Sequence, residues 1–127
     1  MKDKHLYEYA VIRVVPRVER EEFTNVGIIL FCKQQKYLAF KYHIPVDKLK
    51  LYDTELDLEE LEMHLQSFDK ISKASSDGGR IAAMDAASRF RWLTAVRSSS
   101  IQTSRPHTGY SDDLEATLNH LFEDLVL

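Results

Sequence analysis

Hydrophobic positions in this chain repeat with two different periods, alternating as far as about residue 44 and recurring every three or four residues over most of the remainder. Leu6 to Val15 alternates, with Tyr7, Tyr9, Val11, Arg13 and Val15 on one face and Leu6, Ala10, Ile12 and Val14 on the other. Pro16 ends that strand by removing a ladder donor, and 17–22 reads as a charged connector containing a helical turn. Phe23 to Phe31 is apolar on both faces and is predicted as the central strand, because such a strand needs cover on two sides. Alternation places Val26, Ile28 and Leu30 on one face and Ile29 and Phe31 on the other, with Gly27 allowing close backbone approach. Gln34 and Gln35 form a polar turn. Lys36 to Ile44 then completes an antiparallel meander, with Leu38, Phe40 and Tyr42 alternating with Tyr37, Lys41 and His43.

Pro45 suits the first turn of a short helix through Tyr52, and Asp57 with Glu60 forms a capping-box-like start for a longer one. Leu58, Leu61, Leu65, Phe68 and Ile71 give that helix one buried stripe. Ser75 to Gly79 is a break and the expected site of mobility. A third helix is predicted from about Ile81 to Ala95, with Ala83, Ala86, Phe90 and Leu93 on a shared face. Ile101 and Thr103 mark a fourth strand, and Arg105 to Gly109 reads as an irregular loop. Asp112 with Glu115 caps a last helix striped by Leu114, Leu118, Leu121 and Leu125. The fold class expected is α+β: a three- to four-stranded antiparallel meander sheet packed with three to four helices.

At 127 residues and 44% hydrophobic, the chain is expected to form a single domain over 1–127, without a membrane span or signal-peptide core. A cytoplasmic setting is the expectation, and the one cysteine, Cys32, reads as a small buried thiol that gives no sign of an oxidising compartment. The net charge of −3 argues against strong non-specific nucleic-acid binding, but the charge is unevenly distributed. Seven acids and no Lys or Arg lie between Asp53 and Asp69, whereas five of the eight arginines lie between Arg80 and Arg105.

The stretch from Arg89 to Gly109 therefore concentrates arginines with serines, Gln102 and His107, the mixture an anion or acidic-partner site needs. A structural alternative pairs Arg89 and Arg91 with the acidic helix and places Trp92 in the core. Arg13 interrupts an apolar face, where a charge needs a partner, and Glu21 or Glu22 is the expected one. No nucleophile elbow accompanies His107, which then reads as a surface-loop residue. Glu60 and His64 make a helical pair short of a three-ligand metal site, and no phosphate-binding or dinucleotide motif is present. Neither a cofactor, a metal nor a catalytic residue is expected.

Three segments, Tyr9 to Pro16, Arg20 to Ile28, and Arg89 to Leu93 continuing to His107-Thr108-Gly109, together make the chain similar to the bacterial family catalogued as domain of unknown function 3037. The resemblance extends over nearly the whole chain. It implies no activity, but it does imply companionship with HipA-like Ser/Thr kinases of toxin-antitoxin systems, and it points at Arg13, Glu22, Asn25, Gly27, Arg89, Arg91, Trp92, Gln102 and His107. The expected function is that of a non-enzymatic accessory or regulatory protein binding such a kinase. The candidate binding residues are Arg13, Arg89, Arg91, Trp92, Gln102, Arg105 and His107. A small-anion pocket built from Arg13, Arg89, Arg91, Gln102 and His107 is the alternative, and nucleic-acid binding is a third reading.

Overall fold

A computed structural model describes residues 3–15, 22–52, 57–95 and 101–127. The alternating part of the chain folds into β1 (His5–Val14), β2 (Thr24–Cys32) and β3 (Tyr37–Tyr42), paired antiparallel in the order β3-β2-β1. β2 is central, as its two apolar faces require: Val26, Ile28, Ile29 and Leu30 are wholly buried. Apart from Glu22, the charged connector predicted at 17–22 lies outside the described residues.

The faces of β2 differ from simple alternation at one position. Ile12 pairs with Gly27 but Arg13 pairs with Asn25, so Val26 is the extra residue of a β-bulge. The bulge turns Val26 into the same core as Ile29 and Phe31, away from Ile28 and Leu30 with which it was expected. Gly27 has the predicted close-approach role, since an added Cβ would lie 2.8 Å from Phe40 Cε1 and 3.1 Å from the Lys41 carbonyl.

β4 (Ile101–Thr103) and β5 (His107–Ser111) run one after the other along the remaining edge of β1, beside Ile12–Val14 and His5–Tyr9 respectively. Between them β1 contributes two residues and the opposing chain three, Ser104 to Pro106. Ser104 bridges this bulge, donating its N–H to the Val11 carbonyl and accepting the Val11 N–H at Oγ, both at 2.8 Å. The irregular loop expected over Arg105 to Gly109 is thus mostly strand. Its side chains are largely exposed, so no apolar alternation marked it in the sequence.

The helices are α1 (Val46–Tyr52), α2 (Leu58–Ser72), α3 (Gly79–Ala82), α4 (Ala86–Leu93) and α5 (Leu114–Leu125). α1 to α4 contribute Leu49, Leu61, Leu65, Phe68, Ala82, Phe90 and Leu93 to the core on one sheet face, while α5 covers the other with Leu118 and Phe122. The architecture is α+β and antiparallel, with five strands and five helices among the described residues. The long helix predicted from Ile81 to Ala95 is broken at Ala83–Asp85, because Asp85 adopts an extended conformation and its carboxylate accepts the Ser88 N–H at 2.7 Å to start α4. Ala83, expected on the buried face, is exposed in that break. At α5 the cap is Asp113, not Asp112: its carboxylate accepts the Ala116 N–H at 3.1 Å. That phase buries Phe122 and leaves Leu125 37% exposed.

Candidate functional site

The sheet separates the residues proposed for a site. Cross-strand partners share a face, so Arg13, Asn25 and Gln102, paired across β2, β1 and β4, lie together on the α5 side. His107 joins that face by packing against Tyr9, with ring centroids 5.3 Å apart and the planes tilted. Arg89, Arg91 and Trp92 sit on α4, behind the opposite face. The five side chains required for one anion pocket therefore do not converge.

Arg89 is occupied by backbone. Its Nη1 donates to the carbonyls of Ile71 at 3.0 Å and Ser72 at 2.8 Å, and its Nε donates to that of Met84 at 3.0 Å. The guanidinium thus caps the C-terminal turn of α2, where carbonyls lack helical partners and the helix dipole favours a cation. The acidic side chains of α2 do not hold it. Asp85 lies below the usual carboxylate range, chiefly because the backbone N–H and side chain of Ser88 bond it, with Arg89 and Arg91 adding smaller effects.

Arg13 stacks over Phe23, its guanidinium carbon 4.3 Å from the ring centroid. Its Nε and the Asn25 Oδ1 are buried without a hydrogen-bond partner, while Asn25 Nδ2 donates to the Leu125 carbonyl at 3.0 Å and ties β2 to the end of α5. Both orphan atoms are closed to solvent, so neither is open to a ligand. Glu21, one of the two expected partners of Arg13, lies outside the described residues, as do Arg97 and the serines at 98–100. Arg105 is exposed at the bulge, and His107 is exposed on β5 and not on a loop.

An accessible cleft of about 350 Å³ lies at the other end of the sheet. Its floor is the cross-strand row Thr108, Glu8 and Phe31, one residue from each of β5, β1 and β2. Leu6 and Lys33 close one end, and Ala87 and Arg91 of α4 form the wall. The cleft exists because the layers differ in length: ten strand residues span roughly 33 Å, whereas the eight of α4 span about 12 Å. Leu6 is left 51% exposed and its partner Tyr110 70% exposed, and Trp92 on α4 is 40% exposed and so is not a core residue. Sequence reasoning selected Arg91 and Trp92 but missed Leu6, Glu8, Lys33, Thr108 and Tyr110. The only available signal was a first strand with apolar residues on both faces along its full length, which needed more cover than the predicted helices supply.

The described residues contain no group of three metal-ligating side chains, His64 and Glu60 forming only a pair at 3.5 Å. None of the described helices is long and apolar enough to cross a membrane. Among known proteins, the family model described as Protein of unknown function (DUF3037) matches residues 9–126. No curated protein and no solved structure matches.

Proposed function

The chain belongs to the DUF3037 family of proteins of unknown function, and on that premise we propose that it is a non-catalytic, cytoplasmic accessory protein that binds a Ser/Thr kinase of the HipA-like class and restrains it. The partner's class comes from the family resemblance. The docking surface comes from the geometry of α4. One observation carries the reading: Arg91 of α4 lines a cleft that also carries the cation Lys33 and the apolar Leu6, Phe31 and Ala87, and Trp92, the next residue of α4, is 40% exposed. Arg and Trp are the residue types that most often anchor an interface when a pocket and a water-excluding rim surround them. An excess of cations over the single acid Glu8 favours an acidic partner surface and speeds encounter.

Co-purification of the tagged protein from its native host, with the captured proteins identified by mass spectrometry, tests the proposal, and a HipA-like kinase is expected among them. Arg91→Glu with Trp92→Ala is expected to release the kinase while the melting temperature stays near that of the unmodified chain. Retention of the kinase by this double variant would remove α4 from the interface. Arg89 is the wrong residue to reverse in such a test, because its loss unseats α2.

A further inference from the structure

β5 has a β1 ladder on one side and, among the described residues, no strand on the other. Edge strands of this kind are usually blunted by lysine, proline or a bulge. Here the bulge and Pro106 come just before the strand, and His107 to Ser111 contains neither Lys nor Pro. The exposed pair Leu6 and Tyr110 lies along the same edge.

The charges flanking this edge are opposite at its two ends: Arg105 precedes β5, and Asp112 and Asp113 follow it. In an antiparallel pairing of two identical strands about a two-fold axis, opposed residues share a face. The axis therefore passes through a residue facing its own copy. With Gly109 on the axis, Thr108 meets Tyr110 of the second copy, and Arg105 comes opposite the second copy's Asp113, twice over. An axis through Thr108 sets Arg105 opposite Ser111, and one through Tyr110 sets it opposite Glu115, which lies within α5 and not on a strand. Gly109 also suits the position sterically. The Tyr7 phenol lies across it on the α5 face, where an added Cβ would sit 2.5 Å from the hydroxyl oxygen, so only glycine lets a ring cover each side of the axis.

We infer that a second copy of this chain is the occupant of the β5 edge, joined by antiparallel β5–β5 pairing centred on Gly109 into one continuous sheet. The pairing sets Thr108 of the second copy against Tyr110 and neutralises Arg105 against Asp113. It also keeps both α4 surfaces on the same face of the joined sheet. Two five-residue strands bury less than a standard interface of about 1,600 Å², so the dimer is of the weak class, with a dissociation constant in the micromolar range, on the order of 1–100 μM.

Sedimentation velocity of the full chain across this concentration range, with hydrogen exchange of the amides of β5, tests the inference without any kinase present. A monomer–dimer equilibrium is expected, with slowed exchange at 107–111 in the dimer. Tyr110→Lys should abolish the dimer. Arg105→Glu and Asp113→Lys should each weaken it about tenfold, corresponding to ~1.4 kcal/mol, and the two together should restore the dimer although the α5 cap stays lost. A chain that stays monomeric at high concentration, or a dimer indifferent to Tyr110→Lys and to the charge swap, overturns the inference. Neither result bears on kinase binding through α4.

Discussion

Replacing Arg89 by methionine keeps most of the aliphatic stem and removes the guanidinium, so the change isolates the capping of α2. Three hydrogen bonds run from Arg89, two of them part-buried bonds from Nη1 to Ile71 and Ser72. Hydrogen bonds to charged groups contribute about 1.5–3 kcal/mol each. The Nε bond to Met84 is exposed and water replaces it at little cost, and the Ile71 carbonyl still receives the Ala74 N–H at 3.2 Å. The Ser72 carbonyl loses its charged donor, and α2 loses a cation at its C-terminus, worth about 0.3–1 kcal/mol. The expected loss is about 2–3 kcal/mol, which for a chain of this length lowers the melting temperature by roughly 8–12 °C. Urea unfolding followed by circular dichroism gives the free energy directly. Arg89→Lys should recover only part of it, because one ammonium cannot reproduce the planar fork, and Arg91→Met should change stability by less than about 0.5 kcal/mol. If Arg89→Met unfolds within ~0.5 kcal/mol of the parent, the bonds to α2 contribute nothing and Arg89 returns as a candidate contact residue.

Gly27→Ala forces a methyl group against Phe40 and the Lys41 carbonyl and is expected to cost about 1–3 kcal/mol by overpacking, measurable as a lower urea midpoint at unchanged slope. Asp113→Ala should cost about 1 kcal/mol through loss of the α5 cap, whereas Asp112→Ala should leave the melting temperature nearly unchanged; the reverse order would move the cap back to Asp112. Burial, followed by the hydrogen bond to Glu62, pushes the Tyr42 phenol up to about 12 from an ordinary 10.0. The folded state therefore holds this proton more tightly than the unfolded chain does. The contribution is intact below pH 10 and is lost between pH 10 and 12. Urea midpoints measured across that window should fall more steeply for the parent than for Tyr42→Phe, and parallel curves would refute the assignment.

Periodicity by itself determined β1 to β3 and most of the helical stripes, because burial on a sheet face or helix side constrains every second residue or every third and fourth. Leu61, Leu65, Phe68 and Ile71 on α2, and Ala10, Ile12 and Val14 on β1, were legible for that reason. Residues whose roles depend on partners distant in the chain were not. The bulge that turns Val26 over exists only in the register of β1 against β2, and β5 becomes a strand only because β1 is long enough to pair with it after the Ser104 bulge. Arg89 reads from sequence as a free cation in a basic segment, yet the orphan carbonyls it caps belong to a helix 17–18 residues earlier. The candidate site followed the same division. Its arginine-rich segment was visible as composition, but the sheet assigned Arg13, Gln102 and His107 to one face and Arg91 and Trp92 to the other, because pleat parity and strand pairing, not charge, decide which side chains share a surface.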